Sequence, residues 1–508
     1  MEQAFGSVKG TTVASLADKI GPAFKKTLKA AEQGQASAQY SLGLMYANGA
    51  GVKQDFQQAL FWYRKAAQNG LTAAQYLLGS KYASGLGIRQ DIHQAFSWYL
   101  KAAEGGDVKS MAALGHLSDS HPQHLAAFWF MKAAEQGVAE AQCALGAKYM
   151  SGSGVKQSAQ IAFTCYQKAA EQGFAEAQCA LGTMYESGQG VDQDLKQALF
   201  WYHNAAKQGL AVAQAALGAM YAHGLGVAKD HQQAVSWLAK AADQGNAEAQ
   251  YNLAMLYDEG IGVTQDASQP ELWYLIKAAE QGLAAAQCAL GGMFASGKDG
   301  RQDWQEAFAW YRKAADQGDA KAMWNLGVLY ASGRGGVPQD PAQAVSLCQK
   351  AADLGFAPAQ STLAAMYVRG QGVKKNSEQA VFWWLKAAEQ GDAEAQYNLG
   401  LMFSQGEGIT QDFDRAFFWF GKAAEQGVPS AQSRLGLMYA TAQAAPLDYI
   451  EAHKWFILAG ANGDEAARKN REHSATLMTA AQITEAQRRA KDWVSQPSKF
   501  VRRDAPLS

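Results

Sequence analysis

Three imidazoles stand within nine residues, His116, His121 and His124, with Asp119 among them. Imidazole nitrogens and a carboxylate suit zinc or copper, so this stretch is the first place where chemistry could reside. The spacing offers no convincing fourth ligand, and a shortened polar surface turn explains the same residues. Elsewhere no reaction centre assembles. His93, His203, His223, His231, His453 and His473 are dispersed, and no GxSxG elbow, HExxH helix or CxxC pair occurs. The expectation is a chain that is not an enzyme and that holds no metal and no cofactor.

Gly-x-Gly, which in other settings cradles phosphate, occurs at one recurring place in nine stretches, among them Gly85-Leu86-Gly87 and Gly260-Ile261-Gly262. Nine copies at one place are better explained by a chain reversal that needs positive φ. Of five cysteines, Cys143, Cys179 and Cys288 fall in the segment AQCALG, at a column that elsewhere holds Tyr, Ala, Ser or Trp. That pattern reads as space filling by reduced thiols, since disulfide frameworks belong mainly to short secreted chains.

These features recur because the chain repeats. A phrase such as KAAEQG ends at Gly34, Gly70, Gly106, Gly137, Gly173, Gly209, Gly245, Gly282, Gly318, Gly355, Gly391, Gly427 and Gly463, enclosing twelve units, nine of them 36 residues long. A period in this range marks a stacked helical array. In the first unit Ala38, Leu42, Met45 and Tyr46 recur at helical spacing, with Gly43 beside them as a small residue that admits a neighbouring helix. After the turn at Gly49 and Gly51, Asp55 is placed to cap a second helix carrying Ala59, Trp62, Tyr63, Ala66 and Ala67. Asp91, Ser158, Asp194, Asp230, Asp266, Asp303, Asp340, Asn376, Asp412 and Asp448 repeat that cap. Trp62, Trp98, Trp129, Trp201, Trp237, Trp310, Trp383, Trp419 and Trp455 share one column and are expected to be buried between helix pairs.

Composition narrows the class. The 508 residues carry 45 basic and 46 acidic side chains, so no global field recruits nucleic acid or a membrane surface. No apolar run is long enough to span a bilayer, and residues 1–19 lack the apolar core of a leader. The expected location is cytoplasmic, with export by a leaderless route as the alternative.

The pattern AxxxLGxMYxxGxGVxxDxxxAxxWYxKAAxQG resembles the Sel-one-like repeat (SLR) family, helical-pair relatives of tetratricopeptide repeats, over about residues 23 to 463. The resemblance implies an all-α, right-handed α/α superhelical solenoid and a scaffold or adaptor that binds a protein or peptide on its concave, first-helix face; the alternatives are a secreted or translocated effector that binds a host protein, an envelope-associated regulator and, less favoured, a hydrolase. The expected organisation is an N-terminal segment and half-repeat helix over 1–34, twelve SLR pairs over 35–463, C-terminal capping helices over 464–494 opened by a Thr479/Gln482 capping box, and a disordered tail over 495–508.

On the first helices an aromatic-amide pair alternates with small residues: Tyr251-Asn252, Trp324-Asn325 and Tyr397-Asn398 against Cys288-Ala289, Ser361-Thr362 and Ser433-Arg434. Equivalent positions two units apart should lie about 20 Å from each other, roughly six residues of extended peptide. Asn can donate to and accept from a peptide backbone, while the rings supply apolar contact. These six residues are the expected partner-binding surface. The alternative is that Tyr-Asn-Leu-Gly simply recurs as the family's common version of the segment.

Overall fold

The computed structural model describes residues 22–119, 125–261, 270–297 and 302–495, and among them every regular element is a helix. The chain forms two compact units, residues 1–241 and 242–508. Each is built from helix pairs of one period.

In repeat five the first helix is Ala175–Ser187 and the second Leu195–Lys207. The chain reverses between them through Gly188 and Gly190, both left-handed at φ +73° and +75°. Asp194 then accepts the backbone amides of Lys196 at 2.9 Å and Gln197 at 3.0 Å. Asp55, Asp91, Ser158, Asp230, Asp303, Asp340, Asn376, Asp412 and Asp448 cap in the same way. Asp266 and Gly262 lie outside the described residues, as do residues 1–21 and 496–508. The first described helix, Pro22–Glu32, precedes repeat one.

The apolar clusters cross the boundaries between repeats. Ala162, Tyr166, Ala169 and Ala170 of repeat four pack with Ala177, Leu181 and Met184 of repeat five. The next cluster joins Ala198, Tyr202, Ala205 and Ala206 to Ala213, Leu217 and Met220. A single pair therefore buries its apolar face only with a neighbour present.

One expectation about the core is corrected. Of the nine tryptophans in the shared column only Trp383 and Trp455 are buried, and the other seven are half-buried. The residue after each is the one that fills the interior: Tyr63, Tyr99, Phe130, Tyr202, Leu238 and their equivalents. Within a repeat that ring lies on the glycine of the first helix, so closely that a Cβ on Gly182 would stand 2.6 Å from Tyr202. One helical step, about 100°, turns the preceding indole to the edge of the stripe. There a lysine covers several of them, as Lys313 does Trp310 at 3.8 Å.

Buried glutamines tie the pairs together. Gln178 Nε2 donates to the Ala170 carbonyl at the end of the preceding second helix, 3.2 Å away, and its Oε1 accepts Gln208 Nε2 at 2.8 Å. Gln208 also donates to the Gly173 carbonyl at 3.0 Å. Gln39, Gln75, Gln142, Gln250, Gln287, Gln360, Gln396 and Gln432 make the same reach to a carbonyl eight residues back. The carbonyl it reaches already accepts the amide of the repeat's last glycine, Gly173 N to Ala170 at 2.9 Å, so the glutamine fills the second lone pair and ties the next pair to that helix end. Repeat nine has Met323 and Leu354 at the two glutamine columns. Gln178→Met should accordingly cost about 0.5–1.5 kcal/mol in chemical denaturation, because it removes the hydrogen bonds that join one pair to the next, and Gln208→Leu should cost little more once Gln178 is gone. A double variant as unstable as the sum of the single ones would contradict this linkage.

Repeat twelve departs from the turn chemistry. Ala442 and Ala444 occupy the two left-handed positions at φ +54° and +59°. Side chains with a Cβ are strained there, so Ala442→Gly and Ala444→Gly should each stabilise the chain by about 0.5–1 kcal/mol, net of glycine's extra freedom when unfolded. Thermal melts that fall with either change would refute the strain. Beyond this repeat come Glu465–Thr476 and Ala480–Ser495, the latter opened by the expected capping box. Thr479 N donates to Gln482 Oε1 at 2.8 Å, and Gln482 N donates to Thr479 Oγ1 at 3.3 Å.

Candidate functional site

The three aromatic-amide pairs ride on Ala247–Asp258, Ala320–Ser332 and Ala393–Gln405, all in the unit 242–508. Each of these helices begins at a polar cap: Asn246, Asp319 and Asp392 accept from the amides of Ala249, Ala322 and Ala395 at 2.8, 2.6 and 2.6 Å. The intervening first helices begin instead at Leu283, Phe356 and Val428, which make no side-chain cap. The alternation seen at one column in the sequence is thus matched at a second.

Packing explains the match. Trp324 stands edge-on to Phe356 at 5.8 Å, and its Nε1 donates to Thr362 Oγ1 at 2.9 Å. Tyr251 and Leu283 pack against one apolar cluster, and Tyr397 and Val428 against another. A large ring in one repeat is accommodated by a small residue and an apolar entry residue in the next. Tyr251, Trp324 and Tyr397 are all half-buried, and burial, with Cys288 and the Asp319 carboxylate nearby adding to it, raises the Tyr251 pKa.

The amides differ among themselves. Asn325 is a hydrogen-bonding partner of the Cys288 thiol, as is the Asp319 carboxylate. Burial, with Asp319 reinforcing it, pushes that thiol up to about 12, so it stays protonated and is a poor nucleophile. Two repeats later the Ser361 hydroxyl takes the place of the thiol against Asp392, where burial raises the Asp392 pKa against the bonds from Ala395, Glu394 and Ser361. Asn252 and Asn398 are half-buried and form no hydrogen bond to a described residue. Their amides are free to take a ligand's backbone.

Other candidates go elsewhere. Cys143 and Cys179 are pushed up to about 12 and about 11, first by burial and then by Glu176, which fits unreactive filler. His116 pairs with Glu140 at 3.1 Å and stands edge-on to Phe130 at 4.9 Å. His121 and His124 lie outside the described residues, as does the side chain of Asp119, and no group of three metal-ligating side chains gathers among the described ones. Sequence reasoning missed the glutamine columns and the alternating caps, though an Ala-Gln step in ten of the twelve units was a visible signal.

A model of the Sel1 repeat matches twelve segments that run almost without gaps from residue 36 to residue 464. The chain belongs to the Sel1 repeat family. The Sel1 solenoid fold is shared with a solved structure, c5321, a protective antigen present in uropathogenic Escherichia coli strains that displays an SLR fold. The two are 35% identical over 94% of this chain and 95% of that one, with a TM-score of 0.66. A Sel1 repeat protein from Oxalobacter formigenes is 31% identical over 71% of this chain and 98% of its own, with a TM-score of 0.41. No curated protein matches. Sel1-repeat proteins are generally non-catalytic helical scaffolds for protein interaction. No described helix of this one is long and apolar enough to cross a membrane.

Proposed function

We propose that this Sel1-repeat protein is a cytoplasmic scaffold that holds an extended segment of a partner protein along the first helices of repeats seven to eleven. The observation that carries this reading is the recurrence of half-buried asparagines at every second repeat, Asn252, Asn325 and Asn398, two of them with no side-chain hydrogen bond to a described residue. Bound backbone amides and carbonyls would pair with those side chains, at intervals of about 20 Å, while the exposed edges of Tyr251, Trp324 and Tyr397 contribute apolar contact. The rings themselves are committed to packing, so the amides are the groups to remove. In quantitative capture from native lysate, Asn252→Ala/Asn325→Ala/Asn398→Ala should lose a protein that the unaltered chain retains, by at least tenfold, with its helical circular dichroism unchanged. Equal recovery by both chains would move the binding surface elsewhere.

A second reading rests on c5321, since a protective antigen is a protein that a host encounters. In that reading the present chain leaves the cell and binds a host protein. The two readings separate on whether the native gene product accumulates in the medium or in the cell lysate.

A further inference from the structure

We infer that Gly292 and the phenol of Tyr311 form a seat for one backbone carbonyl of the segment bound along repeats seven to eleven: the glycine lets the ligand's main chain come down onto the helix, and the phenol donates to its carbonyl. The assignment rests on an extended segment lying in that groove. It adds a donor in repeat eight, between Asn252 of repeat seven and Asn325 of repeat nine.

Repeat eight carries two adjacent glycines in the middle of its first helix, Ala284–Ser296. Gly291 is required by packing, since a Cβ there would stand 2.8 Å from the ring of Tyr311. Gly292 is not. Its backbone is not left-handed, and outside its own helix a Cβ on it would meet a single heavy atom within 4 Å, the Tyr311 hydroxyl oxygen at 3.7 Å, which is an ordinary contact. Glycine inside a helix is less stable than alanine, so the fold gains nothing from the missing side chain. No other repeat has glycine at this position, and the flanking repeats have Met255 and Val328. The result is a hollow between two larger side chains.

An unsatisfied donor faces that hollow. Tyr311 is only 5% exposed, and its hydroxyl forms no hydrogen bond to a described residue. In repeat five the equivalent phenol of Tyr202 is bonded to Thr183 and Glu186, whereas repeat eight has Gly292 and Ala295 at those two positions. Tyr63 and Tyr166 form no such bond either, but they lie in the other unit and face Leu44 and Ala147 at the position of Gly292. Burial, with Cys288 nearby, pushes the Tyr311 pKa up to about 12, so the group is a donor at neutral pH. A bulky apolar side chain in the hollow would cover this donor without satisfying it, and a backbone carbonyl satisfies it. The carbonyl oxygen has to settle about 1 Å nearer the hydroxyl than the absent methyl would stand, a place that any Cβ on residue 292 closes off. One repeat, about 8–10 Å, is spanned by about three extended residues, so the same segment reaches Asn252.

The probe is a peptide of about sixteen residues, long enough for the roughly 40 Å from repeat seven to repeat eleven, selected from a random phage-displayed library on the full-length chain and measured by fluorescence anisotropy. Asn252→Ala/Asn398→Ala should weaken it at least about tenfold, which places it in the groove. Tyr311→Phe should weaken it about five- to tenfold and Gly292→Leu about 50-fold, while both variants melt no lower than the unaltered chain, since neither removes a bond of the fold. Gly292→Ala, the milder change, should raise the melting temperature and still weaken the peptide several-fold. Amide-to-ester replacement along the peptide, which weakens one carbonyl acceptor at a time, should find a single position whose ester costs binding to the unaltered chain and nothing further in Tyr311→Phe. A peptide that needs the asparagines yet binds Tyr311→Phe or Gly292→Leu at full strength overturns the seat and leaves the groove standing. Indifference to the asparagines, or a library that yields no binder, overturns both. If the Tyr311→Phe effect vanishes on truncating one peptide side chain, and on no ester, the acceptor is not the backbone and the assignment is wrong.

Discussion

Gly182→Val should cost about 3 kcal/mol of stability, with the loss concentrated in repeats five and six. A Cβ at this position would stand 2.6 and 2.7 Å from two ring carbons of Tyr202. The ring has nowhere to retreat. Its phenol donates to Glu186 Oε2 at 2.7 Å and lies 3.0 Å from Thr183 Oγ1, while Ala198, Ala205 and Leu217 pack around the ring. Overpacking is therefore relieved only by separating the two helices or by breaking the phenol's bonds. Valine, being β-branched, adds no helix propensity to offset the clash. Because each repeat touches only its neighbours, the effect should appear as faster amide exchange in Ala175–Ser187 and Leu195–Lys207, with distant repeats little changed. Repeat seven shows the compensating solution, Ala254 against Leu275, both fully buried. Tyr202→Leu should accordingly rescue most of the loss caused by Gly182→Ala. A urea midpoint unmoved by valine would mean that the ring and the glycine are not the contact that sets helix spacing.

Deleting Thr479 to the carboxyl terminus should destabilise the last repeats by about 3–5 kcal/mol and make the chain aggregate. The helix Ala480–Ser495 covers the end of repeat twelve. Trp493 stands edge-on to Trp455 at 5.2 Å, and Ala486 and Ala490 are buried. Lys454, only 9% exposed, lies 4.4 and 5.1 Å from those two rings and 2.9 Å from Glu451, which also accepts Arg489 at 2.6 Å. Burial alone would raise the Glu451 pKa, yet the bonds from Lys454 and Arg489 hold it below the usual carboxylate value. Truncation uncovers an indole and removes one partner of a partly desolvated ion pair at the same time. Light scattering and a melt of the shortened chain measure both effects, and a monomeric chain with an unchanged melt would show that this helix seals nothing. Trp493→Ala should move in the same direction by a smaller amount.

Much of the architecture was legible from residue types because a repeat states its own grammar many times. Asp194, Gly188 and Gly190 were read correctly from a column of caps and a pair of glycines, since both features are answered by the backbone of the same few residues. The Thr479-Gln482 box was legible for the same reason. The candidate site was legible only as a list of names. Tyr251, Trp324 and Tyr397 could be seen to alternate, but what they alternate against lies in the following repeat, at Leu283, Phe356 and Val428, some thirty positions on.

The sequence by itself determined the period, the helix pairs, their caps and turns, and the class of protein, because these depend on local backbone chemistry repeated a dozen times. Tertiary structure decided which of two adjacent aromatics enters the core, Tyr202 rather than Trp201, and which neighbour each buried glutamine satisfies. It also decided that the aromatic-amide pairs are half packing and half free surface. Helical periodicity fixes a face to within a step of about 100°, and the choice within that step is made by the side chains of the adjoining helix.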